Sequence, residues 1–119
     1  ICVGMQLMAT TGEEMGRHAG LGWIEGTVAR IPDAPGIRVP HMGWNDVLPA
    51  RPHPLIEPGE AYFLHSYAFT GASVLATTTH GGPVTAAIGR DNLIGIQFHP
   101  EKSQRYGIAL LERFLAWRP

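Results

Sequence analysis

Cys2 is the only cysteine in the 119 residues, second in the run Ile1-Cys2-Val3-Gly4-Met5-Gln6, and the far end carries Gly95-Ile96-Gln97-Phe98-His99-Pro100-Glu101-Lys102-Ser103. These two segments read as a nucleophile and its base. A thiol among small or apolar residues and followed by glycine fits a sharp strand-to-helix turn, which crowds its neighbours and presents the side chain at its apex. Amides at the helix start stabilise a thiolate and aim at whatever the sulfur attacks. The apolar run Leu93 to Phe98 reads as a buried strand, with His99 where it emerges and Glu101 two residues on. Strand C-terminal ends are where open α/β sheets place their sites. With Cys2 as nucleophile, His99 as general base and Glu101 orienting the imidazole, covalent acyl transfer is within reach, and that chemistry needs neither metal nor cofactor.

Each residue also has a plainer reading. A lone cysteine is more often a small buried hydrophobe than a nucleophile, and a lone histidine at a strand end is usually a surface or capping residue. It is the elbow context of one and the His-Pro-Glu context of the other that favour catalysis.

Four segments, in order, carry a resemblance: the Cys2 run, Val39-Pro40-His41-Met42-Gly43-Trp44-Asn45, Phe63-Leu64-His65-Ser66-Tyr67 and Gly95 to Ser103. Together they resemble class-I, triad-type glutamine amidotransferases. The Pro-His-Met-Gly-Trp-Asn string is narrower and is similar to the glutaminase subunits of imidazole glycerol phosphate synthase, from histidine biosynthesis. The resemblance implies a flavodoxin-like α/β fold with a mostly parallel sheet and an antiparallel extension around residues 73 to 98. It implies a cytoplasmic enzyme that hydrolyses L-glutamine through a cysteine thioester, in a heterodimer with a (βα)₈-barrel cyclase that receives the ammonia. It places Val3 (oxyanion amide), Gln6, Glu14, Ser66 and Tyr67 on glutamine-contacting positions, and Trp44 and Lys102 toward the partner. A carboxylate such as Glu14 suits an ammonium, and backbone amides with a hydroxyl suit a carboxylate. Without the resemblance, Glu14 and Lys102 are solvated charges, Gln6 a surface helix residue and Trp44 a core residue.

Members of that family begin upstream of the cysteine, with the first strands of the sheet and a glycine-rich loop that helps bind the oxyanion. The expectation is therefore that residues 1–119 form the C-terminal part of a single amidotransferase domain lacking its N-terminal strands. Ile1 is not an initiator methionine, which also suggests a fragment, a processed product or an incomplete gene model. One missing oxyanion donor typically costs about 10²- to 10³-fold in rate, so the chain alone is expected to be a poor glutaminase. Uncovered apolar edges are expected to make it marginally stable.

Composition bounds the classes. The length suits one core and is short for two domains. Hydrophobic residues at 45% and charged residues at 16% describe a globular protein, and no uncharged apolar stretch is long enough for a bilayer. A net charge of −1 gives nucleic-acid binding no support. One cysteine excludes an internal disulfide, in keeping with a reducing cytoplasm.

Glycine and proline cut the chain into short elements. Gly4 to Ala9 makes a helical turn or two that Thr11-Gly12-Glu13-Glu14 ends or redirects, and Gly16 to Gly22 is a loop. Gly26 to Ile31 reads as a strand, Pro32 to Gly36 as a turn, Ile37 to Pro40 as an extended piece, and the four-proline stretch Pro49 to Gly59 as an irregular surface crossing. Ala61 to Tyr67 is one core strand, and Ser73 to Thr79 with Val84 to Ile88 an antiparallel pair. Ser103 caps a final helix, Arg105 to Trp117, whose stripe of Ile108, Leu111 and Leu115 beside Leu110, Phe114 and Trp117 packs in the core. His18, His41, His53, His65 and His80 lack zinc-site spacing, so no metal is assigned; His41 and His65 fall in the resembling motifs without a chemical step. Two other readings stay open: another class-I amidotransferase, which the Pro-His-Met-Gly-Trp-Asn string disfavours, and a catalytically incomplete, partner-binding fragment.

Overall fold

The computed structural model describes residues 1–119. Its order is α1 (Val3–Leu7), β1 (Ala9–Gly12), β2 (His18–Ala19), β3 (Ile24–Arg30), β4 (His41–Pro49), β5 (Gly59–His65), β6 (Tyr67–Gly71), β7 (Val74–Thr79), β8 (Pro83–Arg90), β9 (Leu93–Ile96), a 3₁₀ turn at Pro100–Lys102 and α2 (Gln104–Ala116). One sheet runs β2-β1-β3-β6, the other β5-β4-β7-β8-β9. The class is α/β, as expected. β1 and β3 are the parallel pair and every other pairing is antiparallel, so the antiparallel extension around residues 73 to 98 continues through β4 into β5.

The β7–β8 hairpin follows from β-branched content on either side of Gly81-Gly82, whose φ values of 74° and 144° only glycine adopts without strain. Asp91, at φ 50°, makes the next turn into β9.

Several boundaries differ from expectation. Ala61 to Tyr67 is not one strand: His65 pairs with His41 in the five-stranded sheet, while Tyr67 pairs with Arg30 in the four-stranded one. Ser66 is the crossover, its carbonyl accepting from Ile31 N–H at 2.8 Å. An uninterrupted aromatic and apolar run cannot show a sheet change made by one polar residue. Ile37 to Pro40 forms no strand beyond an Ala34–Ile37 bridge, and the diagnostic string lies on β4 from His41 onward. Within Gly16 to Gly22, β2 adds a two-residue strand. The proline-rich crossing is irregular, yet Leu55 and Ile56 are buried and pin it to the core.

Two cores result. Val47, Ala61, Phe63, Leu75, Ala86, Ile96 and Phe98 of the five-stranded sheet and the segment after it pack together with Leu110 of α2. Met5, Met8, Ala9, Ile24, Val28, Phe69 and Ile88 lie beneath α1, between the two sheets. Full burial of a side chain of this size contributes about 1.5–3 kcal/mol, so Phe63, Phe69 and Phe98 dominate. The five-stranded sheet curls until its ends meet: His99 N–H, just beyond β9, donates to Tyr62 O of β5 at 2.9 Å.

The final helix departs most from its expectation. Gly107 and Leu110 are its buried residues, whereas Ile108, Phe114 and Leu115 are exposed and Leu111 is borderline. Contact is confined to one narrow line because Gly107 rests directly on the Pro100 carbonyl, where a Cβ would overlap it. Ser103 makes no side-chain cap to α2; its hydroxyl is committed to the site.

Candidate active site

Cys2 occupies the elbow. Its backbone sits at φ 50°, ψ −112°, a strained conformation for a residue with a Cβ. The fixtures are local: Cys2 N–H donates to Ile96 O at 2.8 Å, Gly4 N–H to Ile1 O at 2.8 Å, and Gln6 N–H to Cys2 O at 3.2 Å. Val3, first residue of α1, holds an N–H that the helix cannot satisfy internally. The partly buried sulfur donates to Leu64 O at 3.8 Å and accepts from Gln97 Nε2 at 3.6 Å.

His99 is held from both ends. Its N–H is fixed on Tyr62 O, and its Nδ1 meets Glu101 Oε2 at 3.1 Å. Ser103 Oγ donates to His99 O at 2.6 Å and accepts from Tyr62 N–H at 2.9 Å. The Glu101 pairing orients the imidazole and leaves Nε2 for chemistry. Because β5 is a sheet edge, the outward carbonyls of Tyr62 and Leu64 are free to take these ties. Two residues along a strand is about 6.8 Å, so sulfur and base are anchored to neighbouring positions of one edge.

Beside the elbow lies a cavity of about 550 Å³ lined by Val3, Gln6 and Glu14 with Leu7, Glu13 and His18. Three of the five residues expected to contact substrate thus converge. Ser66 and Tyr67 do not line it; Tyr67 O instead accepts from Gln6 Nε2 at 3.0 Å. With Gln6 Nε2 also donating to Gln97 Oε1 at 3.1 Å, the Gln6 amide keeps only its oxygen for a ligand. A second depression, about 360 Å³ around Arg30, Ile31, Phe69 and His80, contains none of the expected residues.

Trp44 and Lys102 meet at a residue that sequence reasoning missed. Trp44 lies opposite Tyr62 across β4 and β5, its ring edge-on at 6.2 Å, and Lys102 Nζ stands 5.9 Å from the same phenol ring. With exposed Met42 and Leu48, they form an outward apolar face with a cationic rim beside the edge that anchors Cys2 and His99.

His41 and His65 are buried behind this edge. His65 Nδ1 contacts Tyr67 O at 2.8 Å, which requires an N–H there, so His65 Nε2 accepts from His41 Nδ1 at 2.9 Å. His41 Nε2 in turn accepts from Asn45 Nδ2 at 3.0 Å. Burial, with repulsion from the His65 and His80 rings, pulls His41 down from 6.5 to about 4; burial also lowers His65, against the Tyr67 carbonyl, which raises it. Both rings are neutral structural members. No cluster of three or more His, Cys, Asp or Glu side chains is arranged to hold a metal ion, and no helix is long and apolar enough to cross a membrane.

Gln97 and Ser103 were also missed. A glutamine inside an apolar buried run was the available signal, since a fully buried amide must be bonded to something. For Ser103 the helix-start signal was real, but the hydroxyl took stronger partners.

The arrangement offers a thiol on a strained elbow, a free amide, an oriented imidazole and an adjoining cavity, the parts of nucleophilic acyl transfer. The sequence matches the class-I glutamine amidotransferase family over residues 1–117. Similar curated proteins include imidazole glycerol phosphate synthase subunit HisH of Zymomonas mobilis, 61% identical over all of this chain and 58% of its own length. The same-named subunits of Rhodospirillum rubrum (56% identical, all of this chain, 60% of its length) and Azospirillum brasilense (50%, 97% of this chain, 64% of its length) are also similar. The chain thus spans about three fifths of the length of these relatives. With the match running from the elbow through α2, the chain belongs to the class-I glutamine amidotransferase family.

Proposed function

We propose that this chain carries the glutamine-hydrolysing chemistry of an imidazole glycerol phosphate synthase. The observation that carries it is the joint anchoring of Cys2 and His99 on the free edge of β5, with Glu101 on the imidazole. The Cys2 thiolate attacks the side-chain amide carbon of L-glutamine, and the Val3 N–H donates to the oxygen that becomes negative. His99 delivers a proton to the departing nitrogen, releasing ammonia and leaving a thioester. It then takes a proton from water, whose oxygen attacks the thioester; glutamate leaves and the thiolate returns. Val3, Gln6 and Glu14 support glutamine in the cavity, while Tyr67 acts through its carbonyl on the Gln6 amide and Ser66 lies outside the cavity.

Ammonia protonates in water, so its use requires a receiver close by. The Trp44, Tyr62 and Lys102 face suits docking of a cyclase subunit, and its position beside the catalytic edge favours transfer without release. Identity to the HisH subunits supports this partner over those of other class-I enzymes. The test is glutamate production from glutamine, with and without the cyclase subunit: activity that rises on adding the partner and vanishes in Cys2→Ala is expected. Glutamate formation surviving Cys2→Ala would overturn the assignment.

A further inference from the structure

Resting on the reading of Cys2 as nucleophile, we propose that Gln97 is a positioning residue that presents one amide N–H to the Cys2 sulfur in an orientation locked by Gln6. Gln97 is fully buried, and its backbone N–H is already spent on Ala86 O at 2.8 Å. Its side chain therefore does not serve the sheet. It lies 3.6 Å from the sulfur through Nε2 and 3.1 Å from Gln6 Nε2 through Oε1.

The direction of each bond follows from the donors available. Gln6 Nε2 meets two acceptors, Gln97 Oε1 and Tyr67 O, which uses both of its hydrogens. That forces the Gln97 oxygen toward Gln6 and its nitrogen toward Cys2. Tyr67 O is itself held by His65 Nδ1–H, His65 by His41 and His41 by Asn45, so the anchor of Gln6 is braced by a chain of side chains that bond in only one direction. A flipped Gln97 would set its oxygen against the sulfur and its nitrogen against another N–H donor.

Two groups then act on the sulfur in opposite senses. Leu64 O accepts from the thiol and repels a thiolate, while the Gln97 N–H donates to the thiolate and favours it. A donor already fixed in place needs no reorganisation when charge develops on the sulfur. Gln97 does not itself line the proposed glutamine cavity and meets it only through Gln6, so alkylation of Cys2 is the readout that isolates its effect on the sulfur.

Because Cys2 is the only cysteine, iodoacetamide alkylation of the full chain reports on this sulfur alone. The rate is measured across pH for the native chain, Gln97→Leu and Gln6→Leu, with the thermal transition of each followed by circular dichroism. Gln97→Leu is expected to alkylate about tenfold more slowly near neutrality and to need higher pH to reach its limiting rate, as loss of a bond to a charged group requires. Gln6→Leu frees the Gln97 amide to flip, so its rate falls about twofold if both orientations are equally populated. A purely structural role would shift the transitions and leave the pH profile unmoved, which would overturn the proposal. If Gln97→Leu fails to fold, the solvent-accessible Gln6 variant decides: an unchanged profile there overturns the proposal equally. Inactivation of the native chain by 6-diazo-5-oxo-L-norleucine is run in parallel; its absence would sink Cys2 as glutaminase nucleophile while leaving the alkylation contrast readable.

Discussion

Tyr62 and Leu64, two residues apart on the free edge of β5, use their outward carbonyls to hold His99 and Cys2 respectively. An edge strand ordinarily carries unpaired carbonyls and amides that invite unwanted pairing. Here those groups are consumed by the site: Tyr62 N–H by Ser103, Tyr62 O by His99 and Leu64 O by the sulfur. Residues from opposite ends of the chain are thus registered by one short strand.

Ser103 ties β5 to the histidine backbone, so Ser103→Ala leaves the Tyr62 N–H without its acceptor. A loss of about 1–3 kcal/mol in stability is expected from denaturant unfolding. Glutamine turnover should fall through kcat more than through KM, since the hydroxyl touches the base and not the cavity. Wild-type kinetics in a destabilised variant would contradict this.

Gly107 seats α2 on the Pro100 carbonyl, and the turn that starts there carries Glu101. Gly107→Ala forces helix and turn apart, at a cost of about 1–3 kcal/mol typical of overpacking. The His99–Glu101 pairing should loosen with it, visible as a changed imidazole signal in NMR titration; an unaltered signal would show that the turn is held by other means.

Stability should depend on acid through His41. Its folded pKa, about 4, lies below the 6.5 of the unfolded chain, so between these values the unfolded state binds the extra proton. Stabilisation present above pH 6.5 is lost as pH falls toward 4, at about 1.4 kcal/mol per pH unit for one group, with His65 adding in the same sense. Urea unfolding at several pH values measures the slope, and His41→Gln, which cannot titrate, should flatten it. Equal slopes would place the proton elsewhere.

Trp44 is half-exposed on the outward face. Trp44→Ala should weaken cyclase binding by at least about 1 kcal/mol, as expected for an aromatic anchor, while changing stability by less than that. Calorimetric titration with the cyclase subunit checks it, and an unaltered affinity would remove Trp44 from the interface.

Much of the fold was legible locally. The β7–β8 hairpin announced itself through β-branched runs around glycines, and β9 through the apolar run from residue 93 to 98, although the strand ends at Ile96. The break at Ser66 was not legible, because propensity records that residues extend and not which sheet they join. The α2 stripe misled for a related reason: its period is helical, but how much of it is covered depends on what packs there, and only Leu110 reaches the core. The proposed trio of Cys2, His99 and Glu101 was named from residue types and motif context. Tyr62, Gln97 and Ser103 were not, since each depends on a partner far away along the chain, 41 positions for Tyr62 with Ser103 and 95 for Gln97 with Cys2.

The most direct measurement is intact-mass analysis after exposure to 6-diazo-5-oxo-L-norleucine, comparing the native chain with His99→Asn. A single adduct on Cys2, formed at least about a hundredfold more slowly in the variant, is the expected result for a nucleophile dependent on its base. No adduct, or equal labelling with and without the imidazole, would contradict a cooperating Cys2–His99 pair.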